Sequence, residues 1–320
     1  ESEEIAVMEN ATDAWHKVFH AIRFAEGNQI ITTHIEYASN YLSYLQKKQS
    51  DAIEIIVIPP DDNGNMDINK LENAITEKTA LISISHIPTN SGSVNPAEKI
   101  GNIAKRHNIP YLLDACQSVG QYPIDVDAIG CDMLSATGRK YLRAPRGSGF
   151  LYVGESMLAH FKPPFIDLHS ATWTSKNSYT LRKGTRRFEN FESNVGIKLA
   201  LGRAANYAAN IGVSLIWKRV QELARQLRRH LGQINGISLH DKGTVKSGIV
   251  TFTHDSVPAD KIQSLLQEHS INISVSTLES TRIDMEQKQL ESAARASVHY
   301  YNTQDEITQF VETLEPLVNN

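Results

Sequence analysis

The sequence predicts an α/β fold, with a large, mainly parallel-sheet domain followed by a smaller C-terminal α+β domain. Three observations predict it. Short apolar runs alternate with helical patterns up to about residue 165, the rhythm of βαβ units. Beyond that point the rhythm changes to a long helical stretch, then to short strands interleaved with two helices. The composition is that of a folded globule: of 320 residues, 41% are hydrophobic and 21% charged. Such a chain is too apolar to be disordered and large enough to fold without disulfides or metals.

The elements follow in order. Residues 4–8 are a brief apolar run, and residues 12–23 carry Ala14, Val18, Ala21 and Ile22 at helical spacing. Residues 29–33 read as a strand and 37–46 as a helix. The strand at 53–58 is stopped by Pro59-Pro60, and Asp61-Asp62-Asn63-Gly64-Asn65 is a turn. A helix at 68–76, a strand at 80–85, a helix at 96–107 and strands at 111–114, 132–135 and 150–153 continue the alternation. The stretch 195–234 is helical and broken near Gly212. Strands at 237–240, 248–253, 271–275 and 296–300 and helices at 259–269 and 304–317 complete the chain. These patterns divide it into a first domain, residues 1–205, and a second, residues 206–320. There is no internal repeat, linker or low-complexity tract.

Several classes are disfavoured. With 32 basic and 36 acidic side chains the net charge is −4, so no basic surface for nucleic acid or an anionic membrane is expected. No apolar run approaches the ~18 residues that cross a bilayer. Glu1-Ser2-Glu3-Glu4 has no secretory character. Cys116 and Cys131 read as reduced thiols of a cytoplasmic protein, and no Cys/His spacing resembles a metal site.

In open parallel sheets, ligands bind beyond the carboxyl ends of the strands. The residues placed there are Asn10-Ala11-Thr12, Glu36-Tyr37, His86 to Asn90, Asp114 and Gln117, and Ser135, Thr137, Arg139 and Lys140. Asp114 ends an apolar strand, where an unpaired carboxylate is costly and needs a cationic or N–H partner. Lys140 follows the small turn Ala136-Thr137-Gly138, and a lysine held at a strand end can form a Schiff base with a carbonyl. Pyridoxal 5'-phosphate (PLP) needs both groups, a lysine for its aldehyde and a carboxylate for its ring nitrogen. It also needs a phosphate cradle, which Thr12 at a helix N-terminus and Arg139 can supply. Taken singly, Asp114 could be a helix cap, Thr12 a plain N-cap and Lys140 a surface lysine; their joint placement favours the cofactor.

These residues carry a family resemblance. Leu113-Asp114-Ala115-Cys116-Gln117-Ser118-Val119-Gly120, then Asp125-Val126, Gly130-Cys131-Asp132, Thr137-Gly138-Arg139-Lys140 and Gly147-Ser148-Gly149-Phe150-Leu151-Tyr152-Val153, resemble the class V aminotransferase superfamily. These are PLP enzymes of fold type I, among them cysteine desulfurases, selenocysteine lyases, isopenicillin-N epimerase-like proteins and kynureninase. The similarity spans nearly the whole chain and ends at Arg295-Ala296-Ser297-Val298-His299-Tyr300-Tyr301-Asn302-Thr303. The resemblance implies that Lys140 binds the cofactor aldehyde and later moves protons, and that Asp114 pairs with the ring nitrogen. It puts Gln117 near the ring hydroxyl and Ala11, Thr12, Thr137 and Arg139 at the phosphate. It implies Tyr37 stacked on the ring, Thr89 beside it, Asn90 at the substrate and Arg295 on the substrate carboxylate.

Three departures accompany the resemblance. The desulfurases carry a mobile-loop cysteine ahead of the substrate arginine, and residues 276–295 contain none. Relatives often follow Arg-Phe-Glu with Gly-Thr, whereas Arg187-Phe188-Glu189 is followed here by Asn190-Phe191-Glu192. Relatives also have a segment before the Asn10 turn that is missing from this sequence. The expected function is therefore a PLP enzyme acting on a small α-amino acid, foremost a carbon–sulfur β-lyase on a cysteine-like substrate. An aminotransferase or an amino-acid epimerase is the alternative within enzymes, and a catalytically silent PLP-binding protein the one outside them. A homodimer is expected from the family.

Overall fold

A computed structural model describes residues 1–319. Seven strands form the large sheet: β1 (Ile5–Met8), β2 (Gln29–Thr33), β3 (Glu54–Ile58), β4 (Thr79–Ser85), β5 (Tyr111–Asp114), β6 (Met133–Thr137) and β7 (Gly149–Val153). Their order is β1-β7-β6-β5-β4-β2-β3. Strands β2 to β6 pair in parallel. β7 runs against both of its neighbours, β6 and β1. The expectation of an α/β fold with a mainly parallel sheet is met, with β7 as the reversed strand.

The sheet is buried on both faces, as parallel sheets require. Successive residues of one strand enter opposite cores. Ile30, Leu81, Leu112 and Met133 join Trp15, Phe19 and Tyr44 on one side. Ile31, Ile82, Leu113 and Leu134 join Ile100, Ile103 and Ala104 of helix Ala97–Arg106 on the other. This explains why the strands read as continuous apolar runs and not as alternating ones.

The helix expected at 12–23 spans Ala11–Phe19. Ala21 and Ile22 then bond back three residues, to Val18 and Phe19, tightening the last turn. Ile22 still packs in the core, so the apolar spacing outlasts the helix. The helix expected at 37–46 is longer, Ala38–Asp51.

Several short elements lacked a sequence signal strong enough to register, among them helices Val126–Ile129 and Glu155–Leu158. An exposed hairpin joins β8 (Ala171–Ser175) to β9 (Ser178–Leu181), and a short helix spans Arg282–Gln287. Helices Val195–Ile211 and Val213–Leu231 break at Gly212, as expected, with its φ at 91°. The first of them carries the chain through residue 205.

A second sheet, all antiparallel, orders β10 (Ile237–Leu239), β11 (Ile249–His254), β12 (Ser274–Thr277) and β13 (Ser292–Ser297) as β10-β11-β13-β12. Its core includes Val220, Leu223, Phe252, Ile262 and Leu314 from the sheet and three helices. Two strands differ from expectation. The run 271–275 is mostly an incoming segment whose Ile271 and Ile273 pack on this core. The last strand is Ser292–Ser297, not 296–300. His299 leaves the sheet and stacks between Tyr141, at 5.2 Å between ring centroids, and Tyr301, at 4.3 Å. Aromatic content there marks a stacking cluster, not a strand.

Candidate active site

The order of the large sheet reverses between β2 and β4. From β2 the chain moves outward to β3, and from β4 it moves the other way through β5 and β6. A cavity opens at the carboxyl ends beside this point, where the topology rule puts a ligand. Ala11, Thr12, Tyr37, Thr89, Asp114, Gln117, Thr137, Arg139 and Lys140 all line it. Nine residues expected from the sequence to touch one ligand thus share one cavity.

Each is placed by a local device. Asn10 caps helix Ala11–Phe19, its side-chain oxygen accepting from the Asp13 N–H at 2.8 Å. The N–H groups of Ala11 and Thr12 precede that capped donor at the positive end of the helix dipole. Thr137 ends β6, donating its hydroxyl to the Ser148 carbonyl at 3.3 Å. The Gly138 N–H bonds the same carbonyl at 2.8 Å. A Cβ at Gly138 would collide with Ser148 and press on Ala144 and Leu201, so glycine is needed where the chain turns to present Arg139 and Lys140.

Asp114 ends β5 and is 7% exposed. Its Oδ1 accepts the Cys116 N–H at 2.8 Å and its Oδ2 accepts Asn40 Nδ2 at 2.9 Å. Burial pushes the carboxyl upward, while those two donors and the Lys140 charge pull it down. Burial also raises the Cys116 thiol, against the neighbouring Lys140. Gln117 donates to Thr89 Oγ1 at 3.1 Å, which fixes both on the cavity wall.

Arg295 arrives from β13. Its Nη1 donates to the Thr89 carbonyl at 3.0 Å and to Thr89 Oγ1 at 2.9 Å. Its Nε is buried without a partner, and burial lowers its proton affinity. A desolvated guanidinium with an unused donor is suited to an incoming carboxylate.

Asn90 is not brought to the cavity. Its amide donates to Thr281 Oγ1 at 2.9 Å and reaches the Thr277 carbonyl at 3.4 Å. The neighbour of Thr89 thus pins the segment that follows β12.

Asn40, inside a helix, and Ser85, still within β4, also line the cavity without lying beyond a strand end. Glu36 sits at the same sheet edge. The available signal was spacing: Glu36 and Asn40 are four residues apart where helix Ala38–Asp51 begins, so they face each other. Glu36 is 4% exposed. Burial, helped by the Asp114 charge, pushes its carboxyl from 4.5 up to about 7, although Ser85, Asn40 and the Tyr37 N–H bond it.

The folded chain keeps the Glu36 proton to about pH 7, while the unfolded chain releases it near 4.5. Stability therefore falls as pH rises through that window, by about 3 kcal/mol at ~1.4 kcal/mol per pKa unit. Urea unfolding of the apoprotein at pH 4 and pH 8 is expected to show Glu36→Gln gaining on the native chain by about that amount at the higher pH. Parallel profiles would mean that Glu36 does not titrate in this window.

The donor set fits PLP. The cavity wall offers N–H groups, hydroxyls and the exposed Arg139 guanidinium, an anion cradle, and also the buried Asp114 carboxylate. Lys140 supplies the amine. Among the described residues no group of three or more His, Cys, Asp or Glu side chains could hold a metal, and no helix is long and apolar enough to cross a membrane.

Comparison with known proteins agrees with this geometry. The family model for class-V aminotransferases matches residues 1–310. The probable cysteine desulfurase of Methanothermobacter thermautotrophicus is 29% identical over 99% of this chain and 80% of its own length. That of Synechocystis is 30% identical over 98% of this chain and 76% of its own length. Among solved structures, the apo cysteine desulfurase of Thermococcus onnurineus superposes with a TM-score of 0.93 at 25% identity, covering all of this chain and 80% of that one. A cystine C–S lyase, solved in complex with its reaction product cysteine persulfide, superposes with a TM-score of 0.87 at 24% identity. That match covers 98% of this chain and 82% of that one, and it shows a common fold.

Proposed function

Because this chain belongs to the class-V aminotransferase family of PLP-dependent enzymes, we propose that it is a carbon–sulfur β-lyase acting on cysteine, cystine or a related sulfur amino acid. The observation that carries this reading is Lys140 and Asp114 lining one cavity, in a chain similar to cysteine desulfurases. Bound PLP makes the substrate α-hydrogen acidic by drawing charge into its ring. Lys140 holds the cofactor aldehyde and then takes the α-proton as general base. Asp114 keeps the ring nitrogen protonated. The helix start at Ala11 and Thr12, with Thr137 and Arg139, holds the phosphate. Tyr37 covers the ring, Gln117 and Thr89 border it, and Arg295 orients the substrate carboxylate.

Residues 276–295 contain no cysteine to take sulfur as a persulfide. Cys116 lies in the cavity wall with its thiol proton held by burial, and Cys131 is buried. Elimination needs no such carrier. Cysteine and water give pyruvate, ammonia and sulfide; cystine and water give pyruvate, ammonia and cysteine persulfide. Neither involves net oxidation or reduction. The test is a product balance on cystine, with pyruvate and ammonia expected in equal amounts. Alanine with sulfur retained on the protein would make it a desulfurase. A new amino acid formed from an added keto acid would make it an aminotransferase, and inverted substrate an epimerase.

Arg295→Ala is expected to lower kcat/KM for cystine by about 10²-fold or more, the ~2–5 kcal/mol cost of removing one partner of a desolvated charge pair. Cystamine, which lacks the carboxylates, is expected to lose nothing further. Steady-state kinetics on both substrates check this, and equal losses on both would remove the role.

We also infer a cytoplasmic homodimer, with residues 1–205 as the cofactor domain and 206–320 as the smaller domain. Support for self-association is the set of exposed apolar side chains Leu168, Trp173, Phe191, Val195 and Leu199, between 64% and 77% exposed. Large apolar side chains left exposed together mark interaction surfaces. Sedimentation velocity is expected to find a dimer that Leu199→Glu weakens; a monomeric native chain would end the inference.

A further inference from the structure

Glu36 has no part in the reaction described above, yet it is among the most heavily bonded side chains near the cavity. Five hydrogen bonds converge on its carboxylate. They come from Thr32 Oγ1 at 3.1 Å, the Tyr37 N–H at 2.9 Å, Asn40 Nδ2 at 2.9 Å, the Ser85 N–H at 2.9 Å and Ser85 Oγ at 2.5 Å. All five donors are neutral. A buried carboxylate satisfied by dipoles alone is an expensive choice, since an apolar or amide side chain would avoid the desolvation.

The connection that gives this charge a use is Asn40. Its Nδ2 has two hydrogens. It reaches Glu36 Oε1 at 2.9 Å and Asp114 Oδ2 at 2.9 Å. Because Nδ2 cannot accept, both carboxylates must receive from it. Glu36 thereby fixes which way the Asn40 amide faces, and Asn40 fixes the position of Asp114 Oδ2. Above about pH 7, where Glu36 is ionised, it and Asp114 form two negative groups with a single amide between them.

We propose that Glu36 and Asn40 are positioning residues for Asp114: Asn40, oriented by Glu36, sets the Asp114 carboxylate, and the Glu36 charge strengthens its hold on the proton of the PLP ring nitrogen. This rests on the reading that Asp114 faces that nitrogen. The negative charge behind Asp114 favours a cation in front of it. A second buried charge behind Asp114, at an effective dielectric near 20, shifts the pKa of that cation by on the order of one unit.

The experiment reads the proton itself and not turnover. The holoenzyme is reconstituted with PLP labelled with ¹⁵N in the ring, and the ring-nitrogen chemical shift is followed against pH. In Glu36→Gln the ring proton is expected to leave about one pH unit lower than in the native chain. Glu36→Asp keeps the charge and is expected to recover part of that shift. Ser85→Ala, which removes a donor that favours ionised Glu36, is expected to move it a smaller distance in the same direction as Glu36→Gln.

Asp114→Asn separates the two readings. If it changes the ring-nitrogen titration while Glu36→Gln leaves it native, the role of Asp114 stands and the inference about Glu36 is overturned. If Asp114→Asn leaves the titration native, Asp114 does not face the ring nitrogen and both fall. Should Glu36→Gln fail to take up PLP, Ser85→Ala decides, and a native titration for that variant overturns the inference.

Discussion

Lys140→Ala is expected to abolish covalent attachment of PLP and to lower turnover by at least about 10³-fold, the scale of losing a positioned general base together with the covalent anchor. Among the described residues, Lys140 is the lysine that lines the cavity. Its presentation depends on the turn after β6, where the Ala144 N–H bonds the Gly138 carbonyl at 2.8 Å and the Arg143 N–H bonds the Lys140 carbonyl at 3.0 Å. The measurement is borohydride reduction followed by peptide mass mapping. In the native protein the reduced cofactor should map to Lys140. In the variant PLP should remain extractable, held by the phosphate contacts alone. A variant that kept native turnover would remove Lys140 from the reaction, and the proposed activity with it.

Asp114→Asn is the second large effect. Both carboxylate oxygens already accept a hydrogen bond, from Cys116 N–H and Asn40 Nδ2. An amide can satisfy one of these but must turn its NH₂ against the other. It also removes the charge opposite the ring nitrogen. Removing one partner of a buried charge pair costs about 3–5 kcal/mol, so kcat should fall by roughly 10²-fold to several 10³-fold, with a smaller change in KM. Single-turnover kinetics at saturating substrate check the size of the loss. Asp114→Glu keeps the charge and should retain more activity than the amide; the reverse order would argue for shape over charge at this position.

Much of the site was legible because it sits at strand ends. Asp114, Gln117 and the Thr137-Gly138-Arg139-Lys140 turn each follow a short apolar run, and the rule for parallel sheets converts that position into proximity. Thr12 was legible because Asn10 is a capping residue followed by a helical pattern. Asn90 and Thr89 are adjacent in sequence, yet their side chains meet different partners. Thr89 meets Gln117 and Arg295, while Asn90 reaches Thr281. The strand expected at 296–300 failed because a run of aromatic side chains serves a stack as well as a strand. Here Tyr141, from the lysine turn, decides between them.

The sequence by itself determined the alternation of strands and helices, the set of polar residues placed at the strand ends and the family to which the chain belongs. These rest on local periodicity, capping and short spacings, all of which act within a few residues. Only the tertiary structure decided how distant groups meet. Ser85 binds Glu36 across 49 residues, Asn40 binds Asp114 across 74, and Arg295 reaches Thr89 across 206. No local propensity encodes such pairs. They exist because the sheet order sets β4 between β2 and β5, and because buried polar groups must find partners wherever packing leaves them.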